Sequence, residues 1–252
     1  MADAPAPYVR EELDARSLHF SAAAIQSRMQ ILRPDALTLE YTRLMMGWLM
    51  FRPAAERLAM IGLGGGSIAK FCHRHLRHTS MLVVEINPQV IALRESFKLP
   101  PDDARLRVVE ADGAHFVAQA DARFDVLLVD AFDADGMPAA LGTQRFYDDC
   151  LDVLGPAGLL VVNLHAGHPH RPLYIDRIRR SFGAGLLRVD DRDRSNSVVF
   201  AARGEPLARA VKPWRRPAAL SDEAWQQLRG AFARLASACA HANASTPSSM
   251  RP

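Results

Sequence analysis

The sequence predicts an α/β fold: a mostly parallel seven-stranded sheet with helices on both faces, preceded by a small N-terminal β-hairpin piece. Short, continuous apolar runs alternate with helical segments between residues 57 and 202, which is typical of parallel strands buried on both faces. A glycine-rich stretch separates the first of these runs from the first helix that follows it. Together these two patterns indicate a Rossmann-like domain.

The N-terminal part is expected to differ from this pattern. Residues 1–16 are rich in Ala, Pro and charged residues and predict a loose segment. Residues 17–52 predict a β-hairpin and a helix: 25–31 and 36–41 alternate in polarity around the turn at Pro34-Asp35. The run 42–51 is apolar on most faces and ends before Pro53, as a buried helix does.

Residues 53–204 are expected to form the Rossmann-like catalytic domain. Its strands are predicted at 58–61, 81–86, 106–109, 124–129, 158–164, 186–189 and 197–202, and its helices at 67–75, 88–97, 114–120 and 143–154. Residues 205–252 predict a C-terminal helix, from the N-cap candidate Ser221 to about Ala240, and a disordered tail.

Composition argues against several classes of protein. The net charge is only +3 and the arginines are scattered among acidic residues, so no nucleic-acid partner is expected. Three cysteines form no disulfide framework, and the N-terminus lacks the apolar core of a signal peptide, so a cytoplasmic protein is expected.

The apolar run Leu44 to Phe51 is too short to span a bilayer. Neither histidine group, at 73–78 or at 165–170, has convincing metal-site spacing, and no metal is expected.

A candidate ligand site begins at the glycine loop. Gly62, Gly64 and Gly66 follow the first strand of the domain, and Glu85 ends the next strand. Glycines let a ligand approach the backbone, and a carboxylate at that strand end can accept both hydroxyl hydrogens of a ribose. Ser67 stands where the NAD fingerprint has its third glycine, so the spacing favours S-adenosyl cofactors, although this pair alone does not separate the two classes.

Acidic residues follow the next two strands as well. Asp112, with Gly113, can accept a hydrogen bond from an adenine amine or cap the following helix, and the two roles are compatible. Asp130 and Asp133 lie at the carboxyl end of the fourth strand, where ligands of parallel sheets bind. A binding site lined by these carboxylates suits a cationic substrate, and one of the carboxylates can act as a general base toward an amine.

These residues, in this order, resemble the spermidine synthase family over residues 26–202. The resemblance is carried by Gln26, Tyr41, the stretches 61–66, 84–88, 112–113 and 129–133, and Phe146-Tyr147. It implies aminopropyl transfer from decarboxylated S-adenosylmethionine to a small-molecule amine, in polyamine biosynthesis, by an enzyme that often forms a homodimer.

The resemblance also implies roles for single residues. Glu85 would hold the ribose, Asp112 the adenine amine, and Gln26 would close over the nucleoside. Asp130 would deprotonate the attacking amine, and Asp133 and Tyr41 would help to seat it.

Departures from the family pattern keep two alternatives open. Gly65 stands where the family has an acid that holds the aminopropyl ammonium of the cofactor, and Thr42 and Arg43 replace polar and acidic residues after Tyr41. No tyrosine within 190–197 matches the one that lines the family's amine pocket. The alternatives are methyl transfer from ordinary S-adenosylmethionine to a small amine, and a nucleoside-binding protein with a decayed acceptor site.

Overall fold

A computed structural model describes residues 6–21, 24–132, 136–204, 207, 215–218 and 220–244 of the chain. The predicted loop acid Asp133 and most of the predicted tail, from 245 onward, lie outside these ranges.

A seven-stranded sheet forms the centre of the molecule, as the apolar runs predict. Its strands are β4 Arg57–Ile61, β5 Ser80–Glu85, β6 Leu106–Glu110, β7 Phe124–Val129, β8 Leu154–His165, β9 Leu186–Asp190 and β10 Asn196–Ala202. They run in the spatial order β6-β5-β4-β7-β8-β10-β9, and only β10 is antiparallel to its neighbours. The chain order reverses between β4 and β7, which is where ligands bind in sheets of this kind.

Helices cover both faces of this sheet. One face carries α1 Glu40–Met45, α2 Trp48–Phe51, α3 Ser67–His75, α4 Pro88–Ala92 and the C-terminal helix, α8 Asp222–Ala244. The other carries α5 Gly113–Gln119, α6 Gln144–Val153 and α7 Arg171–Phe182. In β4, Leu58 and Met60 pack under the first set while Ala59 and Ile61 pack under the second. Alternate side chains of one strand therefore belong to two separate cores.

The N-terminal piece is a three-stranded antiparallel sheet of β1 Tyr8–Glu11, β2 Ala15–Ser21 and β3 Ala24–Gln30. The sequence predicts a loose segment at 1–16, whereas 8–11 and 15–16 belong to strands. The alternation of apolar and polar residues that predicts a strand is missing here, because buried positions of β2 hold the polar residues Ser17 and His19. Their side chains hydrogen-bond each other at 2.8 Å. The ring of Tyr8 stacks on His19 at 5.2 Å.

Two further elements differ from the predicted secondary structure. Residues 36–41 are not a strand: the backbone N–H of Leu37 donates to Gln227 Oε1 on α8, at 2.9 Å, and α1 begins at Glu40. The helix α7, which the sequence reasoning missed, starts with Arg171-Pro172, and proline is tolerated in the first turn because its missing N–H has no helical partner there.

The C-terminal helix packs onto the domain. Ser221 caps it as predicted, with Oγ accepting from the backbone N–H of Ala224 at 3.2 Å, and Leu228, Phe232 and Leu235 are buried against α1 and the sheet. Among the helices within the described ranges, none combines the length and apolar character that a membrane crossing needs.

Candidate functional site

A cavity of about 530 Å³ lies over the carboxyl ends of β4, β5 and β7, between the central sheet and the N-terminal sheet. Most residues predicted for the site meet at its wall: Gln26, Tyr41, Gly62, Gly64, Glu85, Asp112, Gly113 and Asp130. Gly66 is not part of this wall; it precedes α3 with a left-handed φ of 67°. Asp133 lies outside the described residues.

The carboxylate of Glu85 faces the glycine loop and is held by two backbone donors. Oε2 accepts from the N–H of Leu63 at 2.8 Å, and Oε1 accepts from the N–H of Asn87 at 2.9 Å. The residue is 9% exposed, and what is exposed lines the cavity. Each carboxylate oxygen can accept a second hydrogen bond, so two acceptors are presented to a ligand in a fixed geometry.

The glycine loop lies directly against the strand end that carries Asp130. Gly62 has a φ of 93°, and a Cβ placed on it would lie 2.2 Å from the carbonyl oxygen of Asp130. The backbone of residue 130 donates in turn to the carbonyl of Ile61 at 2.9 Å. Gly62 is therefore needed both for its conformation and for the close approach of β4 and β7.

Asp112 performs the capping role. Its Oδ1 accepts from the backbone N–H of His115 at 2.8 Å, at the start of α5. Because Asp112 and Gly113 also line the cavity, the cap places a carboxylate beside Ala111 and within reach of a ligand there.

Asp130 and Tyr41 form the opposite end of the site from Glu85. Burial raises the pKa of Asp130 to about 6, against hydrogen bonds from Asn163 and Tyr41 that lower it. Burial and the neighbouring charge of Asp130 raise the pKa of Tyr41 well above its usual range, so this phenol stays neutral. A carboxylate with a pKa near 6 is largely ionised at pH 7 yet binds a proton more readily than an ordinary aspartate.

The sequence reasoning missed Asn163, which is 1% exposed near the carboxyl end of β8. Its Nδ2 donates to Asp130 Oδ1 at 3.0 Å, while its Oδ1 is buried without a partner among the described residues. One signal was available: a single amide side chain interrupts the apolar run of β8. Buried polar groups carry a cost, so such an interruption points to a positioning role.

We expect replacement of Asn163 by Leu to raise the pKa of Asp130 further, because it removes a donor that stabilises the charged carboxylate. The acid limb of the pH profile of kcat/KM should therefore move to higher pH. A profile recorded from pH 5 to 9 tests this. An unmoved limb in a folded variant would mean that Asn163 does not tune Asp130.

The comparisons with known proteins agree with the geometry of the site. The model of the spermine/spermidine synthase domain matches residues 38–179. A polyamine aminopropyltransferase from Neisseria meningitidis is 35% identical over 212 residues, covering 83% of this chain and 81% of the relative. One from Chromobacterium violaceum is 35% identical over 229 residues, covering 90% and 85%. Among solved structures, a probable spermidine synthase from Corynebacterium glutamicum superposes with a TM-score of 0.68 at 20% identity, over 90% of this chain and 91% of that one, which supports the fold.

Proposed function

This chain belongs to the spermine/spermidine synthase family, and we propose that it transfers an aminopropyl group from decarboxylated S-adenosylmethionine to a small amine. The observation that carries the proposal is the cavity itself. It places Glu85, fixed by two backbone N–H groups, at one end and Asp130, with its raised pKa, at the other.

The nucleoside of the co-substrate would bind at the Glu85 end. Glu85 would accept from both ribose hydroxyls, and Asp112 from the adenine amine. Gly62 and Gly64 leave room for the ligand, and Gln26 would cover it from the N-terminal sheet. The positive sulfonium would then lie between Glu85 and Asp130.

Asp130 would act as the general base. The neutral amine attacks the carbon bonded to the sulfonium sulfur, so that a C–N bond forms while the C–S bond breaks, and its electron pair stays on sulfur. The proton released by the amine passes to Asp130, and the thioether nucleoside leaves. Proximity supplies the rest of the acceleration, since both reactants are held in one cavity.

The acceptor would be seated by Tyr41 and, in our proposal, by Asp133. Thr42 and Arg43 depart from the family pattern, and both donate to nearby backbone carbonyls. Thr42 lines the cavity, and its Oγ1 donates to the carbonyl of Leu39 at 2.6 Å, while Arg43 donates to that of Thr38 at 3.3 Å. The acceptor half therefore does not reproduce the family's set of polar groups. A homodimer and a cytoplasmic location stay predictions from the sequence.

One observation favours methyl transfer from S-adenosylmethionine as a second candidate. Gly65, at the position of the family's acid, is buried, and a Cβ on it would lie 2.6 Å from Ser27 Oγ and 2.8 Å from Cδ1 of the buried Phe97 ring. The space for an acidic side chain is filled, and no carboxylate at this position would repel the amino-acid carboxylate of the intact cofactor.

Mass spectrometry of reaction products separates the two candidates. The protein is incubated with each cofactor and a panel of diamines and monoamines. Aminopropylated amine and methylthioadenosine are expected from the decarboxylated cofactor. Methylated amine and S-adenosylhomocysteine would support the second candidate, and cofactor binding without turnover of any amine would contradict both.

Replacement of Gly65 by Ala is expected to lower the free energy of unfolding by about 1–3 kcal/mol, because the ring of Phe97 must move. Urea unfolding of both proteins measures this difference. Gly167→Ala is the matched control, since nothing lies within 4 Å of a Cβ there. Equal stability of the two variants would show that the space at Gly65 is not restricted.

A further inference from the structure

A second cavity, of about 560 Å³, lies beside α3 and shares no lining residue with the first. Its wall is basic. Six of its lining residues carry basic side chains: Lys70, His73, Arg74, Arg77, Lys98 and Arg105. They come from α3, from the turns that follow α3 and α4, and from the residue before β6, and the fold alone brings them together.

The basic charge of this cavity is only partly balanced. Asp35 is the one acidic residue among the described residues of this wall, and Arg74 contacts it at 3.2 Å. Two acidic residues outside the wall also pair with its side chains: Glu223 contacts Arg74 at 3.3 Å and Asp103 contacts His73 at 2.8 Å. Arg77 and Lys98 are exposed, and neither has an ion-pair partner within the part of the chain that the structure describes. Like charges held this close repel one another, so an anion in the cavity would relieve the repulsion.

Lys70 adds a buried amino group to this wall. Its side chain is 3% exposed, and Nζ donates to the carbonyl of Phe97 at 2.7 Å. An ammonium has three donors, so this carbonyl leaves others for a ligand. Burial lowers the pKa of Lys70 to about 7, with Asp35 acting in the opposite sense. Lysine is almost never fully buried unless it has a partner of opposite charge.

We propose that this second cavity is a binding site for a small phosphate-bearing anion. Arginine presents paired donors that match phosphate oxygens, and lysine supplies compact positive charge for the same group. Several cations around one cavity suit a ligand with several charges, such as a di- or triphosphate, better than a single carboxylate. A volume of about 560 Å³ is sufficient for a small molecule of this kind.

Calorimetric titration of the full chain with inorganic triphosphate tests the proposal. Sulfate and ATP serve as further arms at fixed ionic strength, and methylthioadenosine is present in excess to fill the first cavity. We expect one triphosphate per chain, with weaker binding of sulfate. Equal affinity for ATP and triphosphate would identify the phosphate group as the part recognised, and tighter ATP binding would identify a nucleotide.

Two double variants with equal charge loss give the control. Arg77→Gln with Lys98→Gln changes exposed residues of the basic wall, and we expect at least about tenfold weaker triphosphate binding. Arg123→Gln with Arg180→Gln changes exposed residues outside that wall and should leave affinity unchanged.

Three results would overturn the proposal. They are no triphosphate binding at millimolar concentration, equal weakening in both double variants, and binding of duplex DNA without affinity for any small anion. None of these depends on catalytic turnover, so they do not bear on the proposed aminopropyl transfer.

Discussion

Replacement of Asp130 by Asn is expected to lower kcat/KM for amine turnover by about 10²- to 10⁴-fold, the range that a positioned general base contributes. Asparagine has nearly the shape of aspartate and can still accept the hydrogen bonds of Asn163 and Tyr41 on one oxygen. It cannot take the proton of the amine. Steady-state rates with the decarboxylated cofactor measure the loss, and Asp152→Asn on the exposed face of α6 is the matched control.

The same substitution should remove a dependence of stability on pH. The pKa of Asp130 is raised to about 6 in the native state, so the native protein binds this proton more readily than the unfolded chain does. The parent therefore gains stability, relative to the variant, as pH falls through about 6 toward the ordinary value near 4. Parental activity in the variant, or a stability difference that does not change between pH 8 and 5, would contradict the assignment of Asp130.

The central sheet could be predicted from the sequence because each of its strands contains a short, mostly apolar run. Such runs need no partner to be recognised, and β4 to β10 lie within a few residues of their predicted bounds. The strand β1 could not be found in this way. Its stability depends on pairing with β2, whose buried positions hold polar residues that satisfy one another.

The residues of the candidate site form the same two groups: those that a local sequence pattern reveals and those that only the fold brings together. Glu85 ends β5 and Asp130 follows β7, and both strands are recognisable locally. Because the carboxyl ends of parallel strands lie along one edge of a sheet, the sequence predicts that these two residues lie at the same edge. Asn163 and Ser27 reach the site through tertiary packing. Their contacts join residues 33 and 40 positions apart in the chain. The basic cavity depends most strongly on tertiary packing. Its arginines are scattered in the sequence, and only the fold brings α3 and the start of β6 side by side.

Replacement of Glu85 by Gln is expected to weaken binding of methylthioadenosine by about 100-fold. Hydrogen bonds to a charged acceptor contribute roughly 1.5–3 kcal/mol each, and the NH₂ group of glutamine leaves one of the two ribose hydroxyls without its acceptor. An amide also places an NH₂ group against a backbone N–H, either that of Leu63 or that of Asn87, where two donors face each other. Isothermal titration measures the affinity directly.

The control for this variant is Glu110→Gln. Glu110 ends the neighbouring strand β6 in register with Glu85, but it is exposed and does not line the cavity, so affinity should not change. At saturating cofactor, Glu85→Gln should keep most of the parental kcat, because Asp130 is untouched and the loss is confined to binding. Affinity within threefold of the parent in a folded Glu85→Gln variant would contradict ribose recognition by this carboxylate. A lost kcat with unchanged affinity would instead assign Glu85 to the reaction itself.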